Sequence, residues 1–222
     1  MCIQVYTSYD YAAPLRETRE VRSKFKQYKL LALFTRVSKG LHNTLMESNG
    51  TANAVDNAAI WTWQLKSRDT DARFYLAENN NTRSRAVTDF SITVKTSLGD
   101  VTIPSMQLAG RQSRWVVTDY DMGNMTLLYS SAEIATYGLF DRPVIVFYVR
   151  EGQTGEFAFK SQQNLTFDTY GAKANVASAP ANGTYSRFTY TQSKGATVVE
   201  FSNGVLAYLL DCLLYTSLMA RG

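Results

Sequence analysis

The chain has 222 residues, of which 45% are hydrophobic, 19% charged and 13% aromatic, with 14 tyrosines. That is a globular composition with ample core material, and a tyrosine-rich one of this kind favours strands. The net charge of +4 is concentrated between residues 16 and 36, and the rest of the chain nearly balances, so no extended nucleic-acid surface is implied. No apolar run is long enough to span a membrane.

Residues 16–36 read as a helix. Pro14 stands just ahead of the first turn, and Val21, Phe25, Tyr28, Leu31 and Ala32 recur on one face. Arg16, Arg19, Arg22, Lys24, Lys26, Lys29 and Arg36 fill the remaining surface, which reads as a solvated helix face. Gly40 and the polar run from Asn43 to Asn57 end it, and that run is expected to be a loop or linker.

From residue 58 the period changes to two. "IWTWQL", "DARFYLAE" and "DFSITVK" read as strands, and "SLGD" as the hairpin turn leading into "VTIP". "MQLAG", "RWVVTDY" and "MTLLYS" continue the series. The apolar run in "RPVIVFYVRE" is expected to be a central strand buried on both faces. "GEFAFK", "LTFDT", "SRFTYTQ", "TVVEF" and "VLAYLL" complete it, with turn signals about every 8 to 12 residues. The expected fold is mainly β, an antiparallel β-sandwich-like domain preceded by one N-terminal α-helix.

Few residues suggest chemistry. Cys2 and Cys212 lie near opposite ends without a CxxC partner, so no metal site is expected, and no cofactor motif is present. The single histidine, His42, lies in a Gly- and Asn-rich stretch and reads as a loop residue. The glutamates fall mostly on strands and turns, and none marks a paired acid and nucleophile. Trp61, Trp63 and Trp115 are candidate stacking platforms for sugars, although aromatic stripes on strands more often belong to a core. Asn49, Asn80, Asn124, Asn164 and Asn182 each begin an Asn-x-Thr sequon, which leans towards a secreted parent protein.

The segment from Thr7 to Ser38, "TSYDYAAPLRETREVRSKFKQYKLLALFTRVS", resembles the end of the catalytic barrel in glycoside hydrolase family 35 β-galactosidases. Those enzymes carry a Thr-Ser-Tyr-Asp-Tyr segment, then Ala-Pro, an acidic residue and a helix. "TSLGDVTIP", "LAGRQSRWVVTDYDMGNMTLLYSSAEI" and "FDRPVIVFYVREGQTGEFAF" are similar to the β-rich second domain of the large, fungal-type members. The resemblance covers about residues 6–211, and "CLLYTSLMARG" after it is unlike the family.

The resemblance implies three parts. Residues 1–38 are the C-terminal end of the (β/α)8 barrel, 39–205 are domain 2, and 206–222 hold the start of a third domain with a non-family tail. It implies a parent that releases terminal β-D-galactose with retention, using two barrel glutamates that lie upstream of Met1. This chain alone is then expected to be inactive. One substrate contact remains, Tyr11, whose counterpart lines the galactose subsite; Asp10 braces that loop and Tyr9 packs. The implied partners are a β-galactoside and the barrel itself, with no nucleic acid, membrane or cofactor. The implied location of the parent is extracellular, although Met1–Val5 is too short to be a signal peptide and none is expected in this chain. A stand-alone carbohydrate-binding or purely structural β-sandwich is the alternative.

Overall fold

The computed structural model describes residues 13–123, 125–171, 174–179 and 183–211. In chain order the elements are α1 (Ser23–Val37), α2 (Lys39–His42), β1 (Thr44–Thr51), β2 (Ile60–Ser67), β3 (Arg73–Asn79), β4 (Val87–Thr96), β5 (Gly99–Ala109) and β6 (Ser113–Asp121). There follow β7 (Thr126–Ser130), β8 (Glu133–Leu139), β9 (Pro143–Val149), β10 (Thr154–Lys160) and β11 (Phe167–Tyr170). The last are β12 (Asn175–Ala179), β13 (Tyr185–Thr191), β14 (Ala196–Phe201) and β15 (Leu206–Asp211).

Three sheets form. The largest has eight strands in the order β1-β2-β3-β6-β7-β10-β13-β12. The second has five, β11-β14-β15-β9-β8, and the third is the β4–β5 ribbon. Period-two patterning explains the layering, because successive side chains on a strand face opposite ways. On β3, Phe74 enters the core between the two large sheets, while Tyr75 enters the core beneath the ribbon. Val117 and Val116 on β6 divide likewise, as do Phe157 and Ala158 on β10. The eight-stranded sheet is therefore the middle layer, covered by the five-stranded sheet on one face and by the ribbon on the other. This is the expected mainly β, sandwich-like fold, with one parallel pair, β9–β15, among the described strands.

Four local expectations are corrected. The helix begins at Ser23, not at 16, because the chain first makes a tight reversal. Leu15 bridges Val21, the Arg19 N–H donates to the Arg16 carbonyl, Arg19 adopts φ 66°, and Arg16 pairs with Glu20 at 3.0 Å. The buried face also differs. Leu30 and Phe34 are buried, whereas Tyr28 and Leu31 are 50% and 42% exposed. Leu30 packs with Ala135 and Leu210, and Phe34 fills the space beside Phe74, Trp115 and Tyr120. The helix thus closes the β8 edge of the sandwich.

The expected loop after Asn43 is instead β1, paired with β2 over Thr44–Thr51. Its sequence lacks alternation because it is an edge strand with Leu45 and Met46 both exposed. β9 is interior but not equally buried on both faces. Ile145, Phe147 and Val149 are buried, while Val144, Val146 and Tyr148 are only partly covered. Leu206–Asp211 forms β15, antiparallel to β14 and parallel to β9. Ala207 and Leu209 lie in the main core. Residues 212–222 lie outside the described part.

Candidate functional site

The motifs that suggested a family are built into the framework. Asp119, in the Val-Thr-Asp-Tyr strand, adopts a positive φ of 47°. A non-glycine residue holds that conformation only when its surroundings fix it. Here the carboxylate accepts hydrogen bonds from the Ser97 N–H at 2.8 Å and the Ser97 hydroxyl at 2.6 Å, and pairs with Lys160 at 2.7 Å. It pins the tip of the β4–β5 hairpin to the middle sheet. Next to it, the buried Tyr120 hydroxyl donates to Ser38 Oγ at 2.7 Å, and Ser38 Oγ in turn donates to the Phe34 carbonyl. That chain of bonds fastens the end of α1 to β6. Burial pushes the Tyr120 phenol well above its ordinary range, so it stays a donor.

Glu156, of the Gly-Glu segment, is buried and doubly satisfied. It accepts from the Tyr129 hydroxyl at 2.8 Å and pairs with Arg187 at 2.7 Å. Burial, with Glu156 nearby, also raises the Tyr129 phenol far above its usual range. Gly155 is required for contact rather than for a turn: a Cβ there would lie 2.5 Å from the Tyr190 ring.

The sequence-derived candidates are scattered. Tyr11, Asn124 and Asn182 lie outside the described residues, as do Cys2 and Cys212. Asn49 is exposed on the edge strand β1, Asn80 in the turn after β3, and Asn164 in the loop before β11. Trp61 and Trp63 share one face of β2, half-buried, with ring centroids 5.8 Å apart. The indole N–H of Trp63 is committed to Glu78. Trp115 packs against Phe34 instead of standing free. His42 sits in α2 with a ring nitrogen 2.7 Å from the Thr35 carbonyl. No cluster of His, Cys, Asp and Glu with metal-binding geometry occurs among the described residues.

What sequence reasoning did not find is a groove of about 730 Å³ between α1 and the β8 edge. Tyr28, Leu31 and Phe34 form its helical wall. Trp115, Ile134 and Tyr148 form the opposite wall, and Lys24, Arg111 and Arg150 stand at its rim. Glu133 lies on its floor. The Glu133 carboxylate accepts the Trp115 backbone N–H at 3.3 Å and is bonded by Tyr148. Behind it lies the fully buried Arg114, whose Nη2 donates to the Ser131 carbonyl at 2.6 Å. The Nη1 of Arg114 has no hydrogen-bond partner among the described residues. Burial lowers the Arg114 pKa.

Removal from water raises the Glu133 carboxyl to about 7, against the opposing pull of Arg114, the Trp115 N–H and Tyr148. A carboxyl raised from 4.5 to about 7 favours the fold while it is protonated. As pH rises from about 4.5 through 7, the folded state loses up to about 3 kcal/mol from this group. Glu133→Gln is expected to flatten that slope. Urea unfolding at pH 5 and pH 8 checks it: the variant should gain stability relative to the native chain at pH 8, with little difference at pH 5. An equal difference at both pH values would refute the assignment.

The family described as Beta-galactosidase, domain 2 matches residues 41–212. A protein described as "Probable beta-galactosidase C" from Penicillium rubens is 56% identical over 210 residues, which cover 93% of this chain and 21% of that relative. Proteins of the same description from Aspergillus fumigatus and Sclerotinia sclerotiorum are 54% and 51% identical over 208 and 207 residues, with the same shares covered. The chain spans about a fifth of the length of the curated relatives it matches. With more than half of its residues matched, the chain belongs to the β-galactosidase domain 2 family.

Proposed function

We propose that this chain is the supporting second domain of a multidomain, family 35 β-galactosidase, joined to the last helix of its catalytic barrel. The parent hydrolyses terminal non-reducing β-D-galactose with retention. Retention requires two carboxylates about 5 to 5.5 Å apart, one serving as acid and base and the other as nucleophile. In this reading both belong to the parent's barrel, outside this chain. The observation that carries the reading is the 41–212 match, together with the 51–56% identity to relatives described as probable β-galactosidases. The engagement of Asp119 and Glu156 in framework bonds supports a scaffolding role.

Residues 1–38 are assigned to the barrel end. There Tyr11 would line the galactose subsite, its ring packing on the sugar and its hydroxyl bonding to it, in keeping with barrel sites at the C-terminal ends of strands. The parent is assigned to the extracellular space, with Asn49, Asn80, Asn124, Asn164 and Asn182 as glycan acceptors. Tyr11→Phe in the intact parent tests the site. The expected result is a fall of about tenfold in kcat/KM for a chromogenic β-galactoside, the effect of one neutral hydrogen bond. An unchanged kcat/KM would remove Tyr11 from the subsite.

A further inference from the structure

The groove beside α1 has an asymmetric character. Lys24, Tyr28 and Leu31 follow one another at helical spacing on the side of α1 that runs down to Phe34 at the groove and is turned away from Leu30. Tyr28 and Leu31 are half-exposed there, and Val21, just before the helix, is 55% exposed. Arg111 and Arg150 are exposed on the facing rim. Arg150 donates to the Ala109 carbonyl at 3.3 Å, and Lys24 lies 5.7 Å from the Tyr28 ring. No carboxylate among the described residues forms an ion pair with Lys24, Arg111 or Arg150. The carboxylate on the floor, Glu133, is engaged by its own neighbours.

We propose that this groove seats an acidic segment of the parent's catalytic barrel, whose carboxylates pair with Lys24, Arg111 and Arg150 while its apolar side chains cover Val21, Tyr28 and Leu31. The inference rests on the domain 2 reading. In that reading α1 is the barrel's last helix, so the side it does not give to the β domain faces the barrel. Four-fifths of each relative's length lies beyond the matched part, which leaves ample surface to cover it. The rim supplies the charge complementarity that fixes register between packed surfaces. The Gly-Arg-x-Ser segment acquires a role here, because Gly110 at φ 62° makes the turn that carries Arg111 to the rim.

The test is thermal unfolding of the intact parent carrying Arg111→Glu with Arg150→Glu, at about 20 mM and about 500 mM salt. The melting midpoint is expected to drop by about 5 °C at low salt, with the drop shrinking at high salt as the charges are screened. Arg83→Glu with Lys194→Glu, which changes charge equally but away from the groove, is expected to leave the midpoint within about 1 °C of the native value. If the double glutamate variant does not fold, Arg111→Gln with Arg150→Gln should show the same salt-sensitive drop at about half size.

A rim variant that melts with the native enzyme at low salt would overturn the proposal. So would an equal drop in the control variant. A third contrary result is a native midpoint raised by galacto-oligosaccharide and lost in the rim variant, which would make the groove a sugar subsite. Hydrolysis by the unmutated parent is scored separately. An active parent with no salt-sensitive shift refutes the groove assignment alone, whereas an inactive parent refutes the enzymatic reading and leaves the melting comparison interpretable.

Discussion

Phe157→Ala is expected to destabilise the domain by about 3–5 kcal/mol and to lower its melting midpoint by about 10 °C. Phe157 is fully buried on β10 and meets rings from both large sheets. It stacks on Phe147 of β9 at 4.7 Å, approaches Phe201 of β14 at 6.1 Å, and contacts Phe188 and Tyr190 of β13 at 5.6 and 6.3 Å. Truncation removes these contacts and leaves a void that stiff neighbouring strands fill poorly. Against a usual domain stability of about 5–15 kcal/mol, that loss leaves little margin. Phe140→Ala, at a ring 78% exposed, is the matched control and should change stability by no more than about 0.5 kcal/mol. Chemical denaturation of both variants decides the matter. Similar losses at the two positions would mean that Phe157 is not the joint between the sheets.

Glu156→Ala is expected to cost about 3 kcal/mol or more by a different route. The carboxylate joins Tyr129 on β7 to Arg187 on β13, and its removal leaves a half-buried guanidinium and a buried phenol without their acceptor. The test has two parts. Glu156→Met combined with Arg187→Met, which removes both charges and fills the space, should recover most of the loss, because a buried pair contributes little beyond its own desolvation. A double variant as unstable as Glu156→Ala would show that the pair is a net stabiliser and not merely a satisfied one.

Several features were legible in the residues because they are local. "DFSITVK", "SLGD" and "VTIP" place two alternating strands around a tight turn, and the β4–β5 ribbon follows with Thr96 opposite Gly99. Pro104, unable to donate to a ladder, falls where that register shifts. The features that escaped are set by neighbours distant in sequence. Thr44–Thr51 reads as polar loop, and it becomes a strand because β2 offers a free edge. The helix has apolar residues on more than one side, so spacing alone does not choose between Tyr28–Leu31 and Leu30–Phe34. The choice comes from Trp115, Tyr120 and Ala135 on two separate strands. The groove draws on α1, the turn before β6, and the strands β6, β8 and β9, so no single stretch announces it. The raised pKa of Glu133 is likewise a consequence of that convergence.

The measurement that tests the central claim most directly is hydrolysis of a chromogenic β-galactoside by the intact parent and by this 222-residue chain, side by side at equal concentration. The account predicts rapid release of the chromophore by the parent and none above background by the chain, since the proposal assigns to the chain a supporting role and one subsite tyrosine, and to the parent's barrel the two catalytic carboxylates. Turnover by the chain alone would contradict the assignment of catalysis to the parent's barrel, and an inactive parent would contradict the β-galactosidase reading itself.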